Sequence, residues 1–388
     1  MKRLFAWSLC LALFAAAVGC AASYGQPEMR GSMRPPGSQV DISYFYDNLA
    51  PYGEWFPEPS YGWCWTPYDV SADWRPYSDG HWEYTDYGWS WASNEPWGWA
   101  PYHYGRWFFD DSYGWVWVPG TEWAPAWVAW RYSDDYVGWA PLPPTAGWDA
   151  SAGLSFGDPG AIRPDEWCFV PRTHVLDVNI RVQVTVVARN VTLYGRTRDA
   201  TRFEVRDGRP ANLGFDVAQI ERSVGRSVPR VKIVDVNQPG RGDGRPAGGG
   251  SVGFFRPRVQ PIPVEHAPVP AVANRPNAIP DVELQRLRDQ QQRKLESDLN
   301  AEKARLARDQ QNDLRSQAAG ARADEIRQQH AAEQQAFEAH AAQQRQVLTQ
   351  RIQKQIVNPG KVKNADKSQG KGKGKGQGQG QGQDKPGK

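Results

Sequence analysis

Acidic and histidine side chains are the first candidates for catalysis in this sequence of 388 residues. Two carboxylate pairs, at positions 110–111 and 134–135, are each adjacent along the chain. Neighbouring residues of a strand or loop point apart, so neither pair fits the two facing carboxylates that glycoside hydrolysis requires. His81 and His103 occupy comparable positions of a repeat, which favours a structural role. Because Gly-x-Ser-x-Gly, phosphate-loop and His-Glu-x-x-His motifs are also missing, we predict a protein that is not an enzyme and needs no cofactor or metal.

Tryptophan is the other residue type with binding chemistry, since indole rings stack on sugars and attract cations. The chain has 19 tryptophans, and many follow one phrase: Gly-x-Trp, a short gap, then Tyr-Gly-Trp-x-Trp. The phrase occurs three times, and its tyrosines, Tyr61, Tyr87 and Tyr113, are 26 residues apart. Two interpretations are open: the indoles form the core of a repeat, or some of them form an exposed platform for a ligand. The candidate platform residues are Trp63, Trp65, Trp89, Trp91, Trp115 and Trp117.

A fixed spacing of this size indicates a structural repeat, and each copy has the features of a β-hairpin. Tryptophans two positions apart project from the same face of a strand. The glycine after each tyrosine suits the positive φ of a turn. A Trp-x-Pro phrase follows, and its proline ends the strand because it cannot donate a ladder hydrogen bond. We therefore predict a tryptophan-rich β-hairpin repeat domain over residues 41–148, in which aromatic packing takes the place of an aliphatic core.

Four longer runs extend the repeat phrases: Phe45–Trp55, Asp73–Trp82, Glu95–Trp107 and Val137–Pro144. They resemble a tryptophan-rich domain family of bacterial exported proteins and lipoproteins whose function is unknown. The resemblance continues as far as Val231, about half of the chain. It implies an envelope location and brings no catalytic residues. The Gly-x-Trp hairpins are also similar to choline- and cell-wall-binding repeats, which implies a binding module as the alternative function.

The N-terminus has the pattern of a lipoprotein signal peptide, which we assign to residues 1–19. A short basic segment precedes an apolar run, Leu4–Val18, that is too short to span a bilayer. The run ends in Ala17-Val-Gly-Cys20, which resembles the cleavage site that precedes a lipid-modified cysteine. Cleavage by ordinary signal peptidase just beyond this point is the alternative. Ala21 in place of aspartate implies an outer-membrane lipoprotein facing the periplasm, with residues 20–40 as a flexible tether.

Two cysteines remain for the folded protein once the signal peptide and the lipid site are set aside. They are Cys64 and Cys168. An oxidising periplasm permits a disulfide between them, so the pair is a candidate disulfide. Cys64 lies between two tryptophans of the first repeat, and the alternative is that it is simply a small packed residue.

Residues 161–236 have a different pattern, which predicts a small β-rich α+β domain. Alternating valines predict strands at 182–186 and 191–193. Asp207-Gly208 lies between two short apolar runs and predicts a hairpin turn. Asp216 begins a stretch with helical spacing, and residues 231–236 read as a final strand.

The last third of the chain is predicted to be a linker, a helix and a tail. Residues 237–280 are rich in glycine, proline and arginine, which favours a disordered linker that leaves the helix independent of the β domains. Residues 281–358 contain no proline and favour one long helix. Leucines recur every eleven residues, at Leu284, Leu295 and Leu306. This stripe is compatible with a solvated helix or with a self-associating coiled coil.

Residues 359–388 are predicted to be a disordered basic tail, with eight lysines against two aspartates. Such a tail is either a solvated segment or a contact for peptidoglycan, another anionic envelope polymer or lipid head groups. Nucleic acid is not an expected partner of an exported protein. The sequence thus favours a non-enzymatic envelope lipoprotein that acts as a scaffold or adaptor through its long helix, with a glycan- or cation-binding module as the alternative and a glycan hydrolase as the least favoured class.

Overall fold

The computed structural model describes residues 39–155, 157, 161–239, 244–262, 281–316 and 323–354. Strands come first and long helices last, which confirms a mainly β protein with a helical C-terminal region. The nineteen strands of the described residues are β1 (Gln39–Asp41), β2 (Gly53–Glu58), β3 (Gly62–Pro67), β4 (Gly80–Thr85), β5 (Gly88–Ser93), β6 (Arg106–Asp110), β7 (Gly114–Val118), β8 (Val128–Tyr132), β9 (Tyr136–Pro141), β10 (Gly147–Asp149), β11 (Gly153–Ser155), β12 (Cys168–Pro171), β13 (Arg198–Asp199), β14 (Phe203–Arg206), β15 (Arg209–Asn212), β16 (Arg230–Asp235), β17 (Arg245–Gly248), β18 (Ser251–Phe254) and β19 (Arg258–Gln260). The α-helices are α1 (Ser43–Leu49), α2 (Asn190–Gly195), α3 (Val217–Val224), α4 (Asp281–Ser316) and α5 (Ala323–Gln353).

Four β-hairpins follow one another: β2–β3, β4–β5, β6–β7 and β8–β9. Each one places a tryptophan of its first strand directly opposite a tryptophan of its second strand. Because such neighbours share one face of the sheet, every hairpin carries a pair of indoles on the same side. The three predicted hairpins are confirmed, and a fourth has the same pairing without the full repeat phrase. The pairs are Trp55 with Trp65, Trp82 with Trp91, Trp107 with Trp117 and Trp130 with Trp139.

The glycines of the repeat phrase have two different structural causes. The turn glycines Gly62, Gly88 and Gly114 have φ angles of 76°, 82° and 74°, the left-handed region that other residues rarely adopt. The glycine of Gly-x-Trp instead makes room for an indole of the opposite strand. A Cβ on Gly53 would lie 2.3 Å from the Trp65 ring, so no larger residue fits there.

The four hairpins are parts of three larger sheets. The first and third hairpins join through β3 and β7 in a four-stranded sheet of order β2-β3-β7-β6. The fourth hairpin forms the sheet β12-β9-β8-β13, and the second forms the centre of the seven-stranded sheet β14-β15-β5-β4-β16-β18-β17. Strands from residues 161–236 therefore complete the sheets of the repeat region. The two segments form one structural unit, not the two separate domains that the change of sequence pattern suggested.

Two strands predicted within residues 161–236 are wrong. Residues Ile180–Val182 and Val187–Arg189 form 3-10 turns, and residues 190–195 form α2. Val184 and Val186 are buried, but Val182 and Val191 are exposed, so the alternation marked burial only in part. A strand also needs a neighbouring backbone, and here arginine side chains take its place: Arg305 Nη2 donates to the Val184 carbonyl at 2.7 Å.

The other predictions for this region are confirmed. Strands β14 and β15 form a hairpin whose turn holds Asp207 and Gly208 at φ angles of 50° and 71°. Asp216 caps α3, since its side chain accepts a hydrogen bond from the Ala218 N–H at 3.0 Å. The final predicted strand is β16, which pairs in parallel with both β4 and β18.

The predicted disordered linker over residues 237–280 is wrong for residues 244–262. These residues form β17, β18 and β19, and β19 pairs in parallel with β1. Phe254 and Phe255 are buried in the main core. The glycines that suggested disorder, residues 248–250, all have positive φ and form the tight turn between β17 and β18. Residues 240–243 and 263–280 lie outside the described part of the chain, as do Cys20, the signal peptide and the basic tail.

The single long helix is also wrong, because the described residues form two helices that pack antiparallel. Arg345 pairs with Glu296 at 2.9 Å and Lys303 with Glu338 at 3.4 Å, so contacts advance along one helix as they retreat along the other. We call α4 and α5 together the helical hairpin. The leucines of the eleven-residue stripe are buried by other parts of the same chain, not by a second copy. They are Leu284, Leu295 and Leu306. None of the described helices has the length and apolar character needed to cross a bilayer.

Candidate functional site

The six tryptophans proposed as a ligand platform are mostly interior residues. Trp65, Trp89, Trp91 and Trp117 have no exposed surface, and Trp115 is 7% exposed. Only Trp63, which packs at the edge of the main cluster, is partly buried. A ligand therefore cannot reach five of the six rings in this structure, and these five belong to the core.

These rings join one hairpin to another. The centre of the Trp82 ring lies 4.5 Å from that of Trp130 and 5.5 Å from that of Trp139, which links the second hairpin to the fourth. Trp55 and Trp117 are 6.1 Å apart and link the first hairpin to the third. Offset and edge-to-face pairs at these distances add to the free energy gained from burial.

Backbone carbonyls take up many of the buried indole N–H groups. Trp117 Nε1 donates to the Tyr104 carbonyl at 2.7 Å, and Trp139 Nε1 donates to the Tyr77 carbonyl at 2.9 Å. Trp74 Nε1 instead donates to the carboxylate of Glu95 at 2.8 Å. The acceptors in these three bonds are thus two main-chain carbonyls and one carboxylate.

The two cysteines are free thiols, so the candidate disulfide is not formed here. Cys64 is buried in a small cluster with Phe56 and Val116, whereas Cys168 is buried in the main cluster. Burial raises the pKa of the Cys64 thiol to about 12, which keeps it protonated and unreactive. The alternative that Cys64 is a small packed residue agrees with this position.

The acidic pairs and histidines considered for catalysis have structural surroundings. Asp110 Oδ1 accepts hydrogen bonds from the backbone N–H groups of Ser112 and Tyr113 and so shapes the β6–β7 turn. Burial lowers the pKa of His103 to about 4, and its Nδ1 lies 2.9 Å from the Ala124 carbonyl. Among the described residues, no group of three or more His, Cys, Asp or Glu side chains is placed to hold a metal ion.

The helical hairpin docks on the β sheets through a contact that we call the hairpin interface. Its apolar part is small and joins Ala72, Val186 and Ala188 to the helices. The helical residues in this cluster are Leu295, Leu299, Leu306, Phe337 and Ala341. Polar groups surround this centre, so charge governs much of the contact.

Arg189 is the first polar centre of the hairpin interface. Its side chain is 10% exposed, and Nη2 lies 2.8 Å from Asp313 Oδ2. Nη1 lies 3.8 Å from Asp309, and Nε lies 3.6 Å from Glu333, which is almost fully buried. Gln310 Nε2 donates to Glu333 at 2.9 Å. One arginine of the β region thus compensates carboxylates from both helices.

Glu302 is the second polar centre. Its side chain is 2% exposed, and Oε1 accepts a hydrogen bond from the Val187 N–H at 3.1 Å. Oε2 lies 3.6 Å from His340 Nε2. Burial raises the pKa of Glu302 to about 7, with Asp73 acting in the same direction, and burial lowers the pKa of His340 to about 4. At neutral pH the imidazole is therefore uncharged beside a carboxyl group that is close to its titration point.

Arg351 is the third polar centre, near the end of α5. Nη2 donates to the Pro67 carbonyl at 2.8 Å, and Nη1 donates to the Tyr113 carbonyl at 3.1 Å. Lys354 lies 4.5 Å from the centre of the Tyr113 ring. Burial lowers the pKa of Arg351 to about 10, so the guanidinium remains charged at neutral pH. These bonds fasten the helix to the end of β3 and to the β6–β7 turn.

The hairpin interface can hold or release a helical element, and its chemistry is that of ion pairs and hydrogen bonds. Sequence reasoning missed it because its charged residues are far apart in the chain. The interruption of the apolar stripe at Gly320 was the one available signal for two helices, and it lies outside the described residues.

Comparison with known protein families finds a match in the repeat region. Residues 46–146 match the model of a family of unknown function, DUF6600. The match spans all four hairpins and their tryptophan pairs. No curated protein and no solved structure matches the chain.

Proposed function

We propose that this protein is a non-enzymatic scaffold or adaptor of the bacterial cell envelope, whose helical hairpin contacts a partner or the cell wall. A lipid on Cys20 would hold it at the outer membrane, facing the periplasm. The anchor rests on the run Ala17–Cys20 and on the signal-like segment before it.

The burial of the hairpin tryptophans carries the proposal. Aromatic residues that cage a cation or stack on a sugar have to reach the ligand. Here Trp89, Trp91 and Trp117 are fully buried and connect strands. The aromatic content thus supports a rigid body, and these three rings offer no accessible face for a ligand platform.

The outer face of the helical hairpin is the proposed contact surface. Lys303 and Glu338 pair across its two helices while remaining 56% and 63% exposed. Arg327 and Asp324 are 67% and 87% exposed. Charges of both signs on two regular helices favour a polar, hydrated contact, which suits a partner protein or an anionic wall polymer.

Site-specific photo-cross-linking in cells tests the contact surface. A photoreactive amino acid would replace the exposed Arg308 of α4 or Gln335 of α5 in turn. Matched controls replace the exposed Glu204 and Val205 of β14. We expect adducts with an envelope component from the helical positions and not from β14. Adducts from β14 alone would contradict the proposed role of the helical hairpin.

Two further measurements test the remaining parts of the proposal. Cys20→Ser is expected to move the protein from the membrane fraction to the soluble envelope fraction, because the lipid anchor is lost. Unchanged membrane retention would remove the anchor from the proposal.

Release of soluble fragments from purified peptidoglycan by the protein would contradict the non-enzymatic assignment.

A further inference from the structure

A cavity of about 360 Å³ lies beside the third hairpin, lined by the chain segments 121–123, 207–209 and 256–259. Its volume lies within the range of small-molecule sites. Arginines are its most prominent lining residues: Arg209, Arg256 and Arg258 each come to it from a strand end or a loop. We call it the arginine cavity.

Arg256 is held firmly in the wall of the arginine cavity. It is 9% exposed, and its Nε lies 2.5 Å from Asp235 Oδ1. The guanidinium carbon lies 4.9 Å from the centre of the Trp123 ring, within the range of a cation–π contact. Nη1 is buried and has no hydrogen-bond partner in the part of the chain that the structure describes.

Trp123 adds a second donor to the same wall. Its ring is 5% exposed and stacks on His103, with centres 5.5 Å apart and planes inclined by 14°. Its Nε1 also finds no acceptor among the described residues. Both nitrogens are buried beneath the surface of the cavity, so they belong to its wall and do not themselves reach a ligand.

The other two arginines are also available to a ligand. Neither Arg209, which is half-buried, nor Arg258, which is exposed, makes a side-chain hydrogen bond or an ion pair with any described residue. Two carboxylates, Glu122 and Asp207, share the lining, and both are exposed. The arginine cavity therefore combines Arg256, which is neutralised by Asp235, with two unpaired arginines and two exposed carboxylates.

We infer that the arginine cavity binds a phosphate monoester that also carries an ammonium group, the chemistry of phosphoethanolamine. Guanidinium groups bind phosphate oxygens through charge-assisted, often bidentate hydrogen bonds. Arg256 is already paired with Asp235, so Arg209 and Arg258 are the two uncompensated guanidinium groups, and two of them suit a dianion. Glu122 and Asp207 in turn favour a cationic group on the same ligand. This site is independent of the scaffold proposed above.

Titration calorimetry with the purified full-length chain tests the inference. The probes are O-phosphoethanolamine, glycerol 3-phosphate and inorganic phosphate. We expect saturable binding of one equivalent of phosphoethanolamine, with weaker binding of the two probes that lack the ammonium group. The head group of phosphatidylethanolamine is a phosphodiester with a single negative charge, so competition by vesicles of this lipid would contradict a monoester ligand, and its absence would support a free ester.

Single substitutions of the two unpaired arginines locate the site. Arg209→Gln and Arg258→Gln are each expected to weaken phosphoethanolamine binding about tenfold, the value of one charge-assisted hydrogen bond. Arg202→Gln is the matched control, since Arg202 is exposed, close in sequence and not part of the lining. Its affinity should remain that of the wild type, and melting curves would establish that all three variants fold.

Several outcomes would overturn the inference. These are the absence of saturable binding of all three probes at millimolar concentration, or an equal loss of affinity in Arg202→Gln, which would indicate a general charge effect. A second pair of variants, Glu122→Gln and Asp207→Asn, should reduce the preference for phosphoethanolamine over glycerol 3-phosphate. An unchanged preference would contradict the ammonium part of the ligand.

Discussion

At the scale of the residue, the tryptophans of the hairpins act as core residues. Each of the four hairpins places two indoles opposite each other, and in the first three a glycine of the Gly-x-Trp phrase admits the second ring, as Gly53 does for Trp65. The residues of the repeat phrase therefore serve to pack the core. Its aromatic residues resemble a binding motif in composition but not in exposure.

Trp89→Ala tests this packing role. Trp89 is fully buried in β5, and its Nε1 donates to the Phe215 carbonyl at 3.4 Å. Removing the ring leaves a large cavity, so we expect the free energy of unfolding to fall by about 3–5 kcal/mol in denaturant titrations. Trp63→Ala is the control, because Trp63 is only partly buried and should cost clearly less. Equal losses in the two variants would argue against the distinction between core and edge.

Glu95 predicts a pH dependence of stability. Burial raises its pKa from the ordinary value of 4.5 to about 8, against the hydrogen bonds from Tyr102 and Trp74. Below pH 4.5 the carboxyl is protonated in both the folded and the unfolded chain. As the pH rises from 4.5 to 8, the unfolded chain ionises first, so this group lowers the free energy of unfolding across that interval.

Glu95→Gln should remove this part of the pH dependence. The melting temperature of the variant is expected to fall less between pH 5 and pH 8 than that of the wild type. Glu204→Gln, at an exposed position, should retain the wild-type dependence. A Glu95→Gln profile parallel to the wild type would show that Glu95 does not titrate across this interval.

At the scale of the element, sequence patterns correctly predicted the structures that are determined by residues close together in the chain. The hairpins of the repeat, the turn at Asp207-Gly208 and the cap of α3 at Asp216 are all set by residues close in sequence. The failed strands near Val184 show the limit of this reasoning. Alternation there marked Val184 and Val186 as buried, but the partner of the Val184 carbonyl is an arginine of α4, 121 residues away.

Long-range charge pairing likewise decides the place of the helices. Arg189 of the β region and the carboxylates of α4 and α5 are scattered along the sequence, and each alone looks like an ordinary surface charge. The eleven-residue leucine stripe indicated an apolar face on the helix correctly. It carried no information about whether solvent, another copy or this chain's own sheets would cover that face.

Arg189→Met tests the importance of the hairpin interface. The substitution leaves Glu333, which is 1% exposed, without its arginine, so we expect a loss of about 3–5 kcal/mol of stability. Arg345→Met is the matched control, because Arg345 pairs with Glu296 at a site where both are at least 40% exposed. That pair should contribute less than about 1 kcal/mol. Denaturant titrations followed by circular dichroism at the helix band would compare the two, and equal effects would contradict a buried clamp.

At the scale of the whole molecule, the described residues contradict a division into independent β and helical parts. Strands β17 and β18 continue the seven-stranded sheet beyond the predicted boundary, β19 pairs with β1, and the helical hairpin covers Ala72, Val186 and Ala188. A scaffold built in this way gains its rigidity from the aromatic core and its outer surface from the helices. Loss of the helices would therefore affect the sheets as well.

Deletion of residues 281–388 tests this coupling. The deletion would expose the apolar centre of the hairpin interface and remove the acceptors of Arg189, so the shortened chain should melt at a lower temperature than the full-length protein. The sequence pattern alone predicted the opposite, identical melting of a fragment freed at the linker. Deletion of residues 355–388 is the control, since it shortens the chain but keeps α4 and α5. If the chain without the helices melts at the same temperature as both longer forms, then the hairpin interface contributes nothing to the fold and the two parts are independent after all.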